Sequence, residues 1–203
     1  EMFTIEGELW YIPWDVEVFI RHYRAPEWEE ALGEKPAETL DEFNRQLLEL
    51  KKAYPDKVPL CLAQQVGQDY QMFMQLFTDE IWVQEGDMWL PNYESDAYEE
   101  YLNLYKFWYE NEIITDESWG PTWGELWNRG NALTTQTGAA WGFAQARKVW
   151  GREAIKAEPV VSMEKGKQTG TFIFSNASSL FKNADHPQEV VDWQLWTIDP
   201  TVE

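Results

Sequence analysis

Tryptophan is the residue that most constrains this chain, because thirteen of its 203 residues carry an indole ring. Each ring is bulky, and its N–H group needs a hydrogen-bond partner when it is buried, so a core accommodates only some of them. The remaining rings are expected to line a cleft. Their flat faces would there contact another flat apolar face, such as the C–H face of a sugar ring or a base of a nucleic acid.

Net charge decides between these two ligand classes. The chain has 16 Lys and Arg residues against 36 Asp and Glu residues, which gives a formal net charge of −20. A surface of that sign repels a polyphosphate backbone, so nucleic acid is excluded as a partner. A neutral ligand rich in hydroxyl groups is the better match.

Cysteine and histidine, which often bind metals or act in catalysis, are rare in this sequence. Cys61 is the single cysteine and lies in an apolar run, which is typical of a buried small hydrophobic residue. His22 and His186 have no metal-ligand partners at useful spacing, and motifs for zinc, phosphate or nucleophile sites are missing. The sequence therefore predicts no metal, no cofactor and no catalysis, and no segment is apolar over a length that crosses a bilayer.

Hydrophobic periodicity predicts alternating strands and helices, and hence an α/β fold with a mostly parallel sheet. Thr39 and Glu42 have the spacing of a helix capping box, and Ser95 is a second candidate N-cap. A loop of small residues is expected at 138–142. The predicted strands are 9–12, 16–21, 58–63, 132–137 and 172–174, and the predicted helices are 26–32, 40–54, 68–77, 96–110, 121–129, 143–150 and a last helix from 187.

Five segments, in order, resemble one family, the extracellular solute-binding proteins of ABC sugar importers in the maltose-binding-protein-like group (family 1). The segments are Glu6–Asp15 (EGELWYIPWD), Glu38–Phe43 (ETLDEF), Leu126–Ala132 (LWNRGNA), Gly138–Trp141 (GAAW) and Ala184–Trp193 (ADHPQEVVDW). They span nearly the whole chain. Two features differ from the family pattern, namely the heavier tryptophan content and the extra residue and missing proline in Gly-Ala-Ala-Trp.

The resemblance implies a type II periplasmic-binding-protein-like fold of two lobes, of which this chain holds mainly the second. Residues 1–16 would form a first-lobe strand and an interlobe crossing, 17–172 the second α/β lobe, and 173–203 the return crossing and a first-lobe helix. The full-length protein would then extend beyond both ends of this chain. It would be a periplasmic or extracellular monomer, held by a lipid anchor, that delivers a neutral carbohydrate to the transmembrane subunits of an ABC permease.

Eight residues are the candidate ligand contacts. Glu17 and Tyr70 match a cleft-facing acid and a sugar-stacking aromatic ring of the family, while residues 64–70 follow a predicted strand, at the end where α/β sheets bind ligands. Packing inside a hinge turn is the alternative for Trp14, a half-exposed strand position for Glu17, and helix capping for Asp69. The full set is Trp14, Asp15, Glu17, Gln65, Asp69, Tyr70, Trp119 and Trp141.

A second function class, a glycoside hydrolase fragment, fits the acidic and tryptophan-rich composition equally well. Such an enzyme needs two carboxylates flanking the bond that it cuts. Asp15 and Glu17 are the candidates, since alternate residues of a strand point to the same side about 7 Å apart. No hydrolase motif surrounds them, so the binding protein is the leading hypothesis.

Overall fold

The structure, a computed structural model, describes residues 4–5, 8–9, 11–13, 15–62, 66–118, 123–167, 170–171, 173–181, 183–199 and 201. The chain divides into two compact units. The smaller unit contains residues 1–18 and 173–203, and the larger unit contains residues 19–172. The chain therefore passes from one unit to the other twice. The predicted assignment of these parts to lobes and crossings stays a prediction.

Helices and strands alternate along the chain. The helices are α1 (Ala25–Leu32), α2 (Leu40–Ala53), α3 (Val66–Met74), α4 (Asp96–Glu110), α5 (Trp123–Asn128), α6 (Ala140–Trp150) and α7 (Pro187–Thr197). The strands are β1 (Thr4–Ile5), β2 (Glu8–Leu9), β3 (Ile12–Pro13), β4 (Glu17–Arg24), β5 (Val58–Cys61), β6 (Trp82–Glu85), β7 (Met88–Pro91), β8 (Ala132–Ala139), β9 (Ile155–Glu158), β10 (Ile173–Phe174) and β11 (Ala177–Ser178).

Local capping signals fix several of the helix starts. The Thr39 hydroxyl accepts the backbone N–H of Glu42 at the start of α2, and the Ser95 hydroxyl accepts that of Tyr98 at the start of α4. Each bond satisfies one of the N–H groups that the first helical turn leaves without a partner. Both predicted caps are thus confirmed, and Pro187 begins α7 as expected.

The main sheet has the strand order β10-β4-β8-β5, and β9 also pairs with β4. The pair of β5 and β8 is parallel, whereas β4 runs antiparallel to both β8 and β9. The predicted mostly parallel sheet is therefore wrong. The sequence pattern missed β9, which is one of the three strands, with β8 and β10, that pair with β4 in the antiparallel direction.

The predicted small-residue loop at 138–142 is also wrong. Strand β8 continues through Ala139, which pairs with Phe19 of β4, and α6 begins at the next residue, Ala140. A register shift between Ile20 and His22 marks a bulge in this pair of strands. Strand and helix are thus joined directly, and Trp141 is the second residue of α6.

Large apolar side chains of α2, β5, α3 and α4 form the core of the larger unit. Phe43, Leu47, Leu60, Phe73 and Trp108 are all fully buried. A second group of buried residues, which includes Trp127, packs where β8 meets α5 and α6. Some indole rings are therefore core residues, as expected, while others are exposed: Trp82, Trp89, Trp193 and Trp196.

Within its described residues, the smaller unit contains short paired strands and the helix α7. Strand β1 pairs with β2, β3 with β11, and the first two residues of β4 with β10, all antiparallel. Helix α7 leaves Trp193 and Trp196 60% and 56% exposed. Its apolar side chains are therefore largely uncovered in this chain.

Candidate ligand-binding site

Asp15 links two segments of the smaller unit, the one between β3 and β4 and the one between β10 and β11. Its Oδ1 atom accepts the backbone N–H of Asn176 at 2.7 Å, and its Oδ2 atom accepts the side-chain amide of Asn176 at 2.6 Å. The Ser175 hydroxyl donates to the Asp15 carbonyl oxygen. Both carboxylate oxygens are thus held in a fixed orientation by one partner residue.

Glu17 lies two residues further on and is electrostatically coupled to Asp15. Burial and the nearby Asp15 charge both raise the pKa of the Glu17 carboxyl. Its Oε2 atom is buried and has no donor within the part of the chain that the structure describes. A ligand hydroxyl could donate to this oxygen, and the bond would be of the stronger, charge-assisted kind.

Tyr70 lies inside an aromatic cluster of the larger unit and is only 6% exposed. Its hydroxyl donates to the Ile81 carbonyl at 2.7 Å and accepts the Asn92 backbone N–H at 3.0 Å. Four rings surround it with centroids 5.7 to 6.2 Å away: Trp82, Tyr93, Tyr98 and Tyr101. The structure gives Tyr70 a packing role, and sugar stacking by its ring would require this cluster to open.

Asp69 is buried in the first turn of α3, with an exposed fraction of 2%. The helix begins at Val66, so Asp69 lies inside the first turn, and the capping alternative is wrong. A negative charge there is favourable because it lies near the positive end of the helix dipole. Burial, and then the Asp69 charge, raise the pKa values of the Cys61 thiol and the Tyr105 hydroxyl.

Four of the predicted contacts lie wholly or partly outside the described residues. Trp14, Gln65 and Trp119 lie outside the described residues, and Trp141 is described only by its backbone. Asp15 and Glu17 belong to the smaller unit, while Asp69 and Tyr70 belong to the larger one. Ligand contact by each of the eight residues stays a prediction.

Asn176 is connected to the candidate site through Asp15, and no sequence pattern singled it out. In the sequence it begins an Asn-Ala-Ser triplet, a pattern common by chance, whereas its partner Asp15 lies 161 residues away. Within the described ranges, no group of His, Cys, Asp and Glu side chains could hold a metal ion. No described helix is both long enough and apolar enough to cross a membrane.

Three solved structures share the fold of this chain. They are the galacto-N-biose/lacto-N-biose I-binding protein of the ABC transporter from Bifidobacterium longum (TM-score 0.72, 19% identity), maltose-bound T. maritima MalE3 (0.75, 13%), and an ABC transporter solute-binding protein from Thermotoga lettingae bound to α-D-tagatose (0.79, 10%). Each alignment covers 97% or 98% of this chain. The predicted fold class, type II periplasmic-binding-protein-like α/β, is therefore confirmed.

The chain spans about half the length of these structures, because the alignments cover 50% or 51% of them. Neither a protein-family model nor a curated protein matches the sequence. At 10% to 19% identity the likeness defines the fold. An inference about the ligand or the partners of this chain therefore has to rest on the chemistry of its own residues.

Proposed function

We propose that this chain is the substrate-binding component of an ABC importer, or a part of one, and that it binds a neutral mono- or oligosaccharide without altering it. The observation that carries the proposal is the fold. All three similar structures belong to sugar-binding or solute-binding proteins of ABC transporters or to a protein bound to a sugar, and they align over nearly the whole chain.

The two carboxylates of the smaller unit support a hydroxyl-rich ligand. Asp15 is held by Asn176, and the buried Oε2 atom of Glu17 offers an acceptor that no described residue uses. A sugar hydroxyl supplies the missing donor without bringing a charge of its own. The net charge of −20 independently disfavours phosphorylated ligands.

Closure of two lobes around the ligand is part of the proposal. A ligand shifts a protein towards a closed state only by binding that state more tightly, so it must contact both lobes. Residues 17–172 would supply one lobe, and residues 1–16 and 173–203 would belong to the crossings and to the other lobe. The proposed partner is an ABC permease, the proposed location is periplasmic or extracellular with a lipid anchor, and the proposed state is a monomer.

Calorimetric titration against a glycan panel tests this function. The panel contains lacto-N-biose, maltose, tagatose and glucose, with glucose 6-phosphate as the charged counterpart. We expect saturable heat and tryptophan quenching with at least one neutral sugar. Binding of only the phosphorylated member would contradict the proposal.

Analysis of the same samples for product separates binding from hydrolysis. The structure disfavours the hydrolase alternative because both oxygens of Asp15 already accept hydrogen bonds from Asn176. An unchanged oligosaccharide after prolonged incubation supports a binding protein. Appearance of monosaccharide would replace that proposal with the hydrolase.

A further inference from the structure

The hairpin of β6 and β7 in the larger unit carries large apolar side chains that the rest of the described chain leaves uncovered. Met88 and Trp89 begin β7 and are 62% and 65% exposed, and Tyr93, which follows the strand, is 56% exposed. Trp82, the first residue of β6, is also exposed. Single exposed apolar side chains are normal on a protein surface, but a group of them on one element marks an interaction surface.

Hydrogen bonds fix the base of this hairpin. The Tyr70 hydroxyl donates to the Ile81 carbonyl at 2.7 Å and accepts the Asn92 N–H at 3.0 Å, so it holds the residues just before β6 and just after β7. At the tip, the two-residue turn 86–87 joins the strands, and Gly86 has a φ of 60°, which glycine adopts without strain. The exposed side chains are thus presented on a fixed scaffold, which lowers the entropy cost of binding a partner.

The surroundings of the hairpin are acidic. No Lys, Arg or His occurs between Lys57 and Lys106. Six carboxylates near the hairpin are exposed, and none of them forms an ion pair with a described residue: Asp79, Glu80, Glu85, Asp87, Glu94 and Asp96. Such a surface repels anionic lipid headgroups and a second copy of the same acidic surface, and it attracts a cationic partner.

Arginine is the side chain that matches both the exposed rings and the acidic charge. Its guanidinium stacks on aromatic rings and pairs with carboxylates. This chain contains one such arrangement, because the guanidinium carbon of Arg24 lies 4.2 Å from the centre of the Trp150 ring while its Nη2 atom lies 2.6 Å from Glu27 Oε1. The Trp89 ring, in contrast, has no cation over it among the described residues.

We propose that the tip of the hairpin, residues 85–89, is a docking surface for an arginine-rich segment of a partner protein. Gln84 lies opposite Trp89 in the register and Glu85 lies opposite Met88, so Trp89 and Glu85 are on different sides of the hairpin. One guanidinium of the segment would stack on Trp89, while Asp87 in the turn and Glu85 would pair with its neighbouring basic side chains. None of the eight predicted sugar contacts lies within 85–89, so this docking does not depend on the proposed sugar binding.

Calorimetric titration of the full chain with a tetra-arginine peptide tests the proposal. Tetra-lysine and tetra-glutamate are the comparison peptides. We expect tetra-arginine to bind saturably, tetra-lysine to bind more weakly because an ammonium group has no planar face to stack on indole, and tetra-glutamate not to bind. Equal affinity for the arginine and lysine peptides would overturn the proposal.

Trp89→Ala separates docking at the hairpin from general attraction to an acidic protein, because it leaves the charge unchanged. We expect it to weaken tetra-arginine binding by about fivefold. Trp193→Ala removes an indole of similar exposure on α7 and should leave the affinity unchanged. Equal affinity of the wild type and Trp89→Ala would refute the site.

The two acids of the tip are tested together. The double variant Glu85→Gln and Asp87→Asn should also weaken tetra-arginine binding by about fivefold. Glu153→Gln with Asp185→Asn makes the same change of charge at exposed acids elsewhere and should weaken it less than about twofold. Equal weakening by the two double variants would show that the peptide responds only to net charge, and would contradict the proposal.

Two further measurements exclude other occupants of the hairpin. Sedimentation with vesicles of phosphatidylcholine and phosphatidylglycerol tests a lipid surface, and light scattering of the chain alone tests a second copy. We expect neither vesicle binding nor a dimer. Vesicle binding that Trp89→Ala abolishes, or a dimer that this substitution dissociates, would replace the arginine-rich partner with the lipid surface or the second copy.

Discussion

Strand β4 has three polar side chains with buried atoms, those of Glu17, Arg21 and His22. Glu17 begins the strand with a buried carboxylate oxygen, and Arg21 and His22 follow as buried polar residues. Each of the three has at least one buried polar atom without a partner within the described part of the chain. A buried polar group without a partner lowers the free energy of unfolding, so substitutions at these residues are expected to change stability.

Glu17→Gln separates the effect of Glu17 on stability from its effect on ligand binding. Removal of the charge takes away a charge-assisted hydrogen bond to the proposed sugar, so we expect about tenfold weaker binding or more. Burial raises the pKa of Glu17 above its ordinary value, so the folded state disfavours its charge at neutral pH. The substitution should therefore leave the melting temperature at pH 7 unchanged or raise it.

Calorimetry and thermal unfolding of this variant give the two readings, and Glu94→Gln is the control at an exposed acid. Loss of stability together with unchanged sugar affinity would contradict the assignment of Glu17 to the ligand.

His22 makes stability depend on pH. The imidazole is 1% exposed, with ring centroids 5.0 Å from Phe143 and 6.4 Å from Trp127, and burial lowers its pKa from 6.5 to about 4. The unfolded chain binds a proton at His22 more readily than the folded chain does. The free energy of unfolding is therefore unaffected by His22 protonation above about pH 6.5, and it decreases as the pH falls from 6.5 towards 4. The total loss from this residue is about 3 kcal/mol.

Denaturant unfolding between pH 4 and 7 measures the effect as the difference between the wild-type protein and His22→Phe. The variant should show a shallower decline, whereas His186→Phe, at an exposed histidine, should follow the wild type. Parallel curves for the wild type and His22→Phe would show that His22 does not titrate in this range.

At the scale of elements, signals within a few residues decide where helices begin. The Ser95 hydroxyl accepts the Tyr98 N–H at 3.2 Å and donates to the Asn92 carbonyl at 3.0 Å, so it joins α4 to the preceding turn. Both partners lie three residues away from it. This is why the capping prediction at Ser95 succeeded without any knowledge of the tertiary structure.

Ser95→Ala removes this cap and should lower the free energy of unfolding by about 1 kcal/mol. Ser95→Asp keeps an acceptor at the N-cap position and should recover most of the loss. Urea denaturation of the three proteins measures the series. Equal stability of Ser95→Ala and the wild type would mean that the cap contributes nothing.

The elements that were predicted incorrectly depend on distant partners. Strand β9 is only four residues long and forms because β4 offers it a free edge, with Arg24 opposite Ile155 and Arg21 opposite Glu158. Likewise, the small residues after Gln136 resemble a loop in isolation. Pairing of Gly138 and Ala139 with β4 converts them into the end of β8.

For the whole molecule, the excess of acidic residues dominates the electrostatics. A net charge of −20 on 203 residues produces self-repulsion, which dissolved salt screens. We expect the melting temperature to rise between about 0.02 and 0.5 M sodium chloride, over which the screening length falls to a few ångström. Differential scanning calorimetry checks this, and a falling melting temperature would show that ion pairs outweigh the repulsion.

Composition and local sequence patterns alone predicted the alternation of helices and strands, the starts of α2, α4 and α7, and the acidic, tryptophan-rich character of the protein. These properties follow from composition and from contacts only a few residues long. Contacts between distant residues set the direction of the strands beside β4, the packing of Tyr70, the pairing of Asp15 with Asn176 and the burial of Arg21. Burial and strand pairing depend on contacts between residues that are far apart in the sequence. Local sequence patterns do not indicate which of these residues come into contact.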